Sequence, residues 1–519
     1  MSTEKWGSLD ANTRRAGNLG PRRLGFGVLD SLSPASKPLI DARDLRTGIV
    51  HLGPGAFFRA HQAVYTEEAI AAAGGDWGIT VVAPHSTGVA DTLRAQDGLF
   101  SVTTLSPGAA GHSSPTSPPS SLSRSSASST SVPSSSGADS GGSGLTRVVG
   151  SLTGVLHAPS AGDEVVALLA SPGVRVVTLT ITEKGYAPTA AMPVLLVRAL
   201  EARRRADAGP ITLLSCDNLP SNGRWLRGVI ETLSEQVPGL REWVAASVGF
   251  PGSMVDRIVP ATTPDTLATA AAALGADDLA AVAGEPYRQW VIEDDFPGGR
   301  PAWEQAGVVL TGDAQPWERL KLRTLNGVHS ALAYLGALAG CETIAEALEL
   351  PGMRTLLKRL IADDIAPTLA PPDGVTVPAY GASVLERFAN PAVVYRTVQV
   401  AMDGSQKLPQ RILHTIGDRR AAGADPHWAL LAVAAWMRFV QGRTDDGRDL
   451  PLNDPLADRI RAQLAGASPG PEGITDALLR IHEIFPPSLA EDATVRTGIT
   501  KWLTFLDKHG AAATVAGAQ

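Results

Sequence analysis

The sequence predicts an α/β domain followed by a mostly α-helical domain, and two patterns support this division. In the first half, short apolar runs rich in β-branched residues alternate with helical patterns, which is typical of a parallel, doubly wound sheet. These strand-like runs are residues 48–52, 78–83, 174–182 and 211–215. From about Glu285 onward, helical periodicity dominates instead. The predicted helices are residues 317–338, 344–361, 384–402, 427–440, 455–465, 474–484 and 491–508.

Length, charge and cysteine content exclude several classes of protein. The chain has 519 residues, more than one hydrophobic core usually covers, so two domains are expected. Its net charge of −7 argues against a nucleic-acid or membrane surface. Cys216 and Cys341, the two cysteines, exclude a disulfide scaffold and a multi-cysteine metal site. Because no signal segment or membrane-spanning run is apparent, we expect a cytoplasmic protein with no membrane or nucleic-acid partner.

A serine-rich segment, residues 106–144, interrupts the first half of the chain. It contains almost no large apolar residue and cannot bury enough surface to offset its chain entropy, so it is predicted to be disordered. It follows one strand-like run (98–105) and precedes another (145–152), and we interpret it as a long hairpin insert, with a regulatory or docking segment as the alternative. The predicted organisation is a partly disordered N-terminal extension (1–46), an α/β domain (47–282) and a helical domain (283–519).

Two glycines follow the first predicted strand and open a helix, in the order Gly53-Pro-Gly55-Ala56-Phe57. Glycine lets the chain turn tightly and lets backbone N–H groups approach a pyrophosphate at the positive end of the helix. The usual third glycine is absent, and Arg59 near that place can contact phosphate. We therefore predict a Rossmann-type dinucleotide site formed by Gly53, Gly55, Ala56, Phe57 and Arg59. A plain strand-to-helix turn is the alternative.

The choice between NAD and NADP stays open from these residues. An acid that binds the ribose is expected after the second strand, but the run Val82-Ala-Pro-His-Ser86 contains none. No convincing arginine cluster for a 2′-phosphate follows it either. The turn therefore predicts a nicotinamide dinucleotide without specifying which one.

The run 317–330 carries an unusual polar set for a packed helix. At about 100° per residue, Glu318, Lys321 and His329 fall within about 80° of one another, and Asn326 lies within about 140° of Lys321. A desolvated lysine suits general acid/base chemistry, because burial lowers its pKa toward neutrality. Asn326 can donate to a developing alkoxide, and His329 can orient a hydroxyl. The alternative is a solvated amphipathic helix with an ordinary Glu318–Lys321 ion pair.

Seven ordered motifs run from residue 51 to residue 411. They are His51-Leu-Gly-Pro-Gly-Ala-Phe-Phe-Arg-Ala-His61, Thr180-Ile-Thr-Glu-Lys-Gly-Tyr186, Ser215-Cys-Asp-Asn-Leu-Pro220, Met254-Val-Asp-Arg-Ile-Val-Pro260, Gln289-Trp-Val-Ile-Glu-Asp294, the run from Lys321 to Asn326-Gly-Val-His329, and Met402-Asp-Gly-Ser-Gln-Lys-Leu-Pro-Gln-Arg411. Together they resemble the mannitol dehydrogenase family, the polyol-specific long-chain dehydrogenases. The similarity covers roughly residue 47 to the C-terminus.

The resemblance implies a Rossmann-type N-terminal domain, a helical C-terminal domain, an active site between them, NAD as cofactor and no catalytic metal. It also implies roles for individual residues. These are a general base at Lys321, oxyanion binding at Asn218 and Asn326, a histidine partner at His329, proton passage at Glu318, cofactor contact at Glu183, and substrate contacts at Asp256 and Lys407. The sequence itself contains no H-E-x-x-H motif, in agreement with a reaction that uses no metal.

Two runs indicate the substrate within the family. Residues 402–411 and 435–442 are most similar to the branch that interconverts fructuronate and mannonate, which are open-chain sugar acids. A sugar acid needs a cation for its carboxylate, and Arg396, Lys407 and Arg411 are the predicted contacts. We therefore predict an NAD(P)-dependent oxidoreductase for a sugar acid, working as a monomer or weak oligomer. The alternatives are a dehydrogenase of neutral polyols, mannitol or arabinitol, and a non-catalytic dinucleotide sensor.

Overall fold

The computed structural model describes residues 22–107 and 144–518. These residues form two compact units that divide between Gln315 and Pro316. The first 21 residues of the predicted N-terminal extension, and all but the edges of the predicted serine-rich insert, lie outside the described residues. From Arg22 onward the extension packs on the first unit, where Leu24 and Val28 join an apolar cluster with Leu274.

A six-stranded parallel sheet forms the centre of the first unit. Its strands, in spatial order, are Leu152–His157, Gly78–Ala83, Thr47–Leu52, Val176–Leu179, Ile211–Ser215 and Val248–Gly249. From Thr47–Leu52 the chain first adds Gly78–Ala83 on one side and later adds Val176–Leu179 on the other. The strand order therefore reverses beside Thr47–Leu52, which is where ligands bind in doubly wound folds.

Alternate residues of these strands face two separate apolar clusters. Ile49 and Val81 belong to one cluster, and Val50 and Val82 belong to the other, as the two-residue period of a strand requires. Because both faces of the sheet are buried, its strands appear in the sequence as continuous apolar runs. The α-helices of this unit are Ala56–Ala60, Gln62–Ala73, Gly88–Ala95, Ala158–Leu169, Ala191–Arg205, Asn222–Ser234, Leu240–Ser247 and Pro264–Leu274. The predicted α/β Rossmann-type fold is confirmed.

Three smaller sheets complete the first unit, and one of them corrects the sequence analysis. The strands of these sheets are Arg22–Arg23 with Ala276–Asp277; Phe100–Thr104 with Thr146–Val149 and Val282–Gly284; and Gln289–Glu293 with Ser253–Asp256 and Val309–Thr311. Helical structure was expected from Glu285, but Gln289–Glu293 is a strand whose pairing ties it to the first unit. A short apolar run does not distinguish strand from helix by periodicity. The division at Gln315 is therefore later than the predicted boundary at 282/283.

The second unit is helical, as predicted. Its α-helices are Gln315–Leu320, Gly327–Leu338, Ile344–Leu348, Met353–Arg359, Val377–Phe388, Thr397–Ala401, Gly404–Leu408, His414–Ala421, His427–Phe439, Ala457–Ala465, Pro471–Leu479, Pro487–Ala490 and Ala493–Ala516. The predicted helix 384–402 is split, because Pro391 follows the end of one helix and disfavours its continuation. None of the helices within the described ranges has the length and apolar character needed to cross a membrane.

Three π-helical turns interrupt the α-helices of the second unit. They are Lys321–Asn326, Leu360–Ile365 and Pro409–Leu413. We call the first the lysine turn and the third the arginine turn. The lysine turn packs against both of the others. Single π-helical turns occur frequently at functional sites, so the residues of these packed turns are candidates for a functional site.

Candidate active site

The glycine turn follows strand Thr47–Leu52 at the carboxyl end of the sheet. Gly53 has a φ of +100°, and a Cβ there would lie 2.2 Å from the carbonyl oxygen of Thr180. Its N–H donates to the Val82 carbonyl at 3.0 Å. Backbone conformation and close packing therefore both require glycine at this position.

His51 fixes the shape of the glycine turn. Its Nε2 donates to the Gly53 carbonyl at 2.9 Å, and its Nδ1 accepts from Thr178 Oγ1 at 2.8 Å. The ring also stacks on Phe58, with centroids 3.6 Å apart. Burial lowers the pKa of His51 to about 3, so the ring is neutral at pH 7 and one nitrogen can accept while the other donates. Sequence reasoning missed this role, although His51 opens the first motif.

The outer part of the turn leaves room for a ligand. Gly55 is exposed, and a Cβ there would meet only the Gly53 carbonyl oxygen, at 4.0 Å. Ala56 and Phe57 begin helix Ala56–Ala60 and are partly exposed. Open space over a glycine at the end of a central strand is what the approach of a pyrophosphate requires. The residues present at this turn therefore fit a dinucleotide.

Arg59 is a buried cation on the same short helix. Its side chain is 5% exposed, and its Nε has no hydrogen-bond partner among the described residues. Burial lowers its pKa to about 10, and the nearby charge of Asp278 opposes that shift. The Asp278 carboxylate itself accepts hydrogen bonds from Gln96 and Ser101. A buried guanidinium with an unused donor is suited to an anion such as phosphate.

The predicted residues Glu183 and Asn218 lie on loops at the carboxyl ends of two central strands, and both are exposed. The preceding residue of the first loop, Thr182, has a φ of +62°, which is costly for a β-branched side chain. Asp217 accepts a hydrogen bond from the Thr182 N–H at 3.0 Å and one from the Tyr186 hydroxyl at 2.7 Å. Asp217 thus ties together the two loops that carry Glu183 and Asn218. Sequence reasoning missed it, although it lies inside a quoted motif.

Asp256, a predicted substrate contact, ends strand Ser253–Asp256 and is 4% exposed. Strand pairing places it opposite Gln289, whose carbonyl accepts a hydrogen bond from His61 Nε2 at 2.9 Å. Three of the quoted motifs therefore meet at this point of the first unit. The role of Asp256 toward a substrate stays a prediction.

The predicted lysine helix is not a continuous α-helix. The lysine turn separates the α-helices Gln315–Leu320 and Gly327–Leu338. A π-helix joins residue i to residue i+5, so Asn326 lies one turn above Lys321 rather than about 140° around the axis. The expected angular placement was therefore wrong, and the correction brings the lysine and the asparagine onto one face.

Three polar side chains of this region are buried. Lys321 is 9% exposed, Asn326 is 7% exposed and His329 is 9% exposed, whereas Glu318 is partly exposed. Among the described residues, Asn326 Nδ2 and His329 Nε2 have no hydrogen-bond partner. Buried polar atoms in folded proteins are nearly always paired. Two unpaired nitrogens so close in the sequence indicate where a polar ligand binds.

His329 is held by aromatic rings and is neutral. Its ring stacks on Phe388 and Tyr395, with centroid distances of 4.6 and 5.2 Å. Burial, followed by the positive charge of Arg411, lowers the pKa of His329 to about 3. His329 is therefore neutral near pH 7, and its role toward a ligand stays a prediction.

The three cations predicted to bind substrate differ in their surroundings. Lys407 Nζ donates to the Met402 carbonyl at 2.6 Å, so its ammonium is already engaged with the main chain. Arg396 is exposed at the start of helix Thr397–Ala401. Arg411 is partly buried and donates to Ser330 Oγ at 3.0 Å. Its guanidinium forms no ion pair with a carboxylate among the described residues, and burial lowers its pKa.

Arg387 is a further cation of this region, and sequence reasoning missed it. It is 8% exposed in helix Val377–Phe388, and its charge contributes to the lowered pKa of His329. It lies outside the seven motifs, so no pattern singled it out. Among residues 22–107 and 144–518, no three His, Cys, Asp or Glu side chains are grouped so that they could hold a metal ion.

Comparison with protein families explains this combination of a glycine turn and a buried lysine turn. Residues 138–305 match the mannitol dehydrogenase Rossmann domain, and residues 313–506 match the mannitol dehydrogenase C-terminal domain. The D-mannonate oxidoreductase of Escherichia coli is 36% identical over 94% of this chain and 99% of its own. The chain belongs to the mannitol dehydrogenase family. It is an oxidoreductase of that family, as its motifs predicted.

Members of the mannitol dehydrogenase family with other names are similarly close. The mannitol 2-dehydrogenase of Cereibacter sphaeroides is 35% identical over 82% of this chain and 88% of its own. The mannitol 2-dehydrogenase of Pseudomonas fluorescens, solved as a ternary complex with NAD and D-mannitol, is 31% identical, covers 95% of this chain and 99% of its own, and has a TM-score of 0.79. Overall similarity therefore shows the family and does not distinguish a sugar acid from a neutral polyol as the substrate.

Proposed function

We propose that the chain is an NAD-dependent oxidoreductase that interconverts D-mannonate and D-fructuronate. The observation that carries the choice of substrate is Arg411, a partly buried guanidinium without a carboxylate partner among the described residues. Its charge lowers the pKa of His329, so it lies close to the predicted site. A sugar acid would supply the missing counter-charge, whereas a neutral polyol would not. The E. coli D-mannonate oxidoreductase is named for this substrate, but its identity of 36% is about the same as the 35% of a mannitol 2-dehydrogenase, so Arg411 carries the choice.

The glycine turn is the proposed place for the dinucleotide. Bound NAD supplies the hydride chemistry. The N–H groups of Gly53 and Gly55 already donate to the Val82 and Gly53 carbonyls. Those of Ala56 and Phe57, at the start of helix Ala56–Ala60, would therefore hold its pyrophosphate, and Arg59 would add a charged contact. NAD is the cofactor of the solved P. fluorescens relative, and the turn of this chain fits a dinucleotide, so NAD rather than NADP is the expected cofactor.

Lys321 is the proposed general acid/base. During oxidation its amine takes the proton of the substrate hydroxyl, and during reduction its ammonium returns that proton to the nascent alkoxide. Asn326 Nδ2, which has no partner among the described residues, is the proposed donor to the alkoxide oxygen, together with Asn218. Neutral His329 would orient the reacting hydroxyl, and Glu318 would pass the proton onward.

Arg411 is the proposed carboxylate-binding residue. An arginine can take a carboxylate through two parallel N–H groups, and one hydrogen bond to Ser330 leaves enough donors for that. Lys407 is engaged with main-chain carbonyls, so its proposed role is to add positive charge. Arg396, which is exposed, would contact only the outer end of a substrate.

A cofactor-linked absorbance screen tests the proposal. Fructuronate, fructose, mannonate, mannitol and arabinitol would be compared by kcat/KM at one pH. We expect the two sugar acids to be preferred. Arg411→Met should then lower kcat/KM for fructuronate by about 10- to 150-fold, the size of one or more charge-assisted hydrogen bonds, and leave activity on fructose little changed. Equal losses on charged and neutral substrates would contradict the sugar-acid assignment.

A dehydrogenase of neutral polyols is the second candidate function. The observation that favours it is the close structural match to a mannitol 2-dehydrogenase solved with D-mannitol. If mannitol and fructose are preferred in the screen, this candidate replaces the first. Cofactor binding without turnover of any of the five compounds would instead favour a dinucleotide sensor.

A further inference from the structure

We propose that Ser330 is a positioning residue that orients Arg411 toward the substrate carboxylate and thereby sets the preference for sugar acids over neutral polyols. The inference rests on the proposed sugar-acid activity. Ser330 lies next to His329 in sequence, and its hydroxyl accepts a hydrogen bond from Arg411. Ser330 is 1% exposed on the apolar helix Gly327–Leu338.

The contact between the two residues is specific. Arg411 Nη1 donates to Ser330 Oγ at 3.0 Å, and this is the hydrogen bond that the Arg411 side chain makes among the described residues. Ser330 follows Asn326 by four residues, so the two lie on the same face of the helix. The hydroxyl thus holds the guanidinium on the side of the helix that carries the unpaired Asn326 amide.

A hydroxyl orients a guanidinium without neutralising it. Among the described residues, the charges of Asp403 and Asp454 act on Lys407 and Tyr334 in this region, and each of these carboxylates has another contact. Asp403 lies 3.8 Å from Lys407 Nζ, and Asp454 accepts from the N–H of Ser405 at 2.7 Å. Because Ser330 contributes no negative charge, Arg411 keeps its full attraction for an incoming carboxylate.

The backbone of Arg411 is also fixed against the same helix. A Cβ at Gly327 would lie 2.8 Å from the Arg411 carbonyl oxygen, so the arginine turn approaches the helix start closely enough to require glycine. The main chain of Arg411 is therefore positioned by its close approach to Gly327, and its side chain is positioned by the hydrogen bond to Ser330. This arrangement sets the separation between Asn326, at the reacting end of a substrate, and the cation at its carboxylate end.

The test is a double-mutant cycle with Ser330→Ala and Arg411→Met in the full-length enzyme with NAD. For each variant, kcat and KM are measured on mannonate and mannitol, and dissociation constants of both are measured by calorimetry. Ser330→Thr keeps the hydroxyl and serves as the conservative variant. Ser405→Ala is the matched control, because it removes a buried hydroxyl that has no partner among the described residues, beside the arginine turn.

We expect Ser330→Ala to raise KM for mannonate about tenfold with a smaller change in kcat, and to leave the constants for mannitol unchanged. In the Arg411→Met background the same substitution should have no further effect, because its role acts through the guanidinium. Ser330→Thr should restore most of the mannonate affinity, and Ser405→Ala should behave as wild type.

Two results would overturn the proposal. Equal losses on mannonate and mannitol, or additive losses in the double variant, would show that Ser330 is only structural while leaving the sugar-acid activity intact. A wild-type enzyme that binds mannitol as tightly as mannonate would overturn the proposed substrate, and the role of Ser330 with it. The wild-type dissociation constants thus separate the two failures before any variant is made.

Discussion

Two polar regions of the molecule differ in how their hydrogen-bonding groups are paired. One is the glycine turn of the first unit, and the other is the polar face formed by the lysine turn and the helix that follows it. At the glycine turn, both nitrogens of buried His51 are paired, and the Gly53 carbonyl accepts from the His51 ring and from Thr180 Oγ1. At the lysine turn, buried Asn326 and His329 each keep a nitrogen that has no partner among the described residues.

The two regions therefore prepare a binding site in different ways. The glycine turn uses its polar groups to hold a backbone shape, and a ligand would find that shape complete. The lysine turn leaves polar groups desolvated and unpaired, which costs stability until a ligand pairs with them. Substitutions of the residues that hold the glycine turn should therefore affect mainly folding, and substitutions at the lysine turn should affect mainly rate.

Lys321→Ala should have the largest effect on rate. We expect kcat to fall by about 10²- to 10⁴-fold, the usual contribution of a general acid/base, while NAD affinity stays within about twofold. Steady-state kinetics and cofactor fluorescence titration measure the two quantities. Lys358→Ala, which removes an exposed lysine of the same unit, is the control. A variant that kept more than about a third of the wild-type kcat would rule out Lys321 as the base.

Asn326→Ala sharpens the comparison, because the rate should fall without a loss of stability. Loss of an oxyanion donor should lower kcat by about 10²- to 10³-fold. Removing a buried amide that has an unpaired nitrogen should leave the thermal midpoint unchanged or slightly higher. Thr324→Val, which removes a buried unpartnered hydroxyl from the same turn, should keep both quantities near wild type. A clear loss of stability in Asn326→Ala would contradict the distinction between the two regions.

The glycines of the glycine turn form a matched pair. Gly53→Ala should destabilise the first unit by about 2–5 kcal/mol, because its φ of +100° and the approach to Thr180 both oppose a side chain. Gly55→Ala should change stability by no more than about 0.5 kcal/mol. It should nevertheless weaken NAD binding about tenfold or more, since the new methyl group occupies the space proposed for the pyrophosphate. Denaturant unfolding and NAD titration distinguish these outcomes.

The smallest effect concerns the pH dependence of stability. Burial lowers the pKa of His51, His61 and His329 to about 3, whereas an unfolded histidine has a pKa near 6.5. At pH values between these two, the unfolded chain binds protons at these histidines and the folded chain does not. The free energy of unfolding therefore falls as the pH is lowered from about 6.5 toward 3. Burial raises the pKa of Asp364 to about 6, which has the opposite effect between about pH 6 and 4.

Burial also raises the pKa of Glu67, Asp217, Asp445 and Asp507, and it lowers the pKa of His414. The pKa values of the three buried histidines change most, so the thermal midpoint should drop between pH 7 and pH 4.5. Asp364→Asn removes the opposing contribution and should make that drop larger, which differential scanning calorimetry at the two pH values would show. The aspartate accepts from the N–H groups of Trp428 and Ala429, and an asparagine oxygen can still accept from them. A midpoint independent of pH in both proteins would contradict the neutral state of the buried histidines.

The sequence predicted the fold better than the boundary between its units. Strands such as Ile211–Ser215 were placed to the residue, because runs buried on both faces of a parallel sheet are continuous and apolar. The boundary was predicted too early because the strand Gln289–Glu293 was not identified: a run of five residues fits a buried strand and a buried helix segment equally well. Only their pairing with Ser253–Asp256, far away in sequence, decides between the two.

The sequence predicted which residues form the candidate site but not how they are arranged. Residue types and motifs indicated Lys321, Asn326 and His329, and these side chains are indeed buried. The π-helical turn was missed, since the α-helical period is the pattern that sequence reasoning applies. Asp217 and Ser330 were missed because they act on neighbouring groups, and those contacts arise only when the chain has folded.

The lysine turn also constrains how the gene for such an enzyme can change. A π-helical turn holds one more residue than an α-helical turn in the same length of axis. Deleting one of the residues between Lys321 and Asn326 would remove that extra residue, so a regular α-helix could form with Lys321 and His329 in nearly their original directions. Asn326 would then follow Lys321 by four residues, which leaves both on one face of the helix. The same deletion in the regular helix Gly327–Leu338 would rotate all residues on one side of it by about 100°. An in-frame loss of one codon should therefore be much less damaging within the turn than in the helix that follows it.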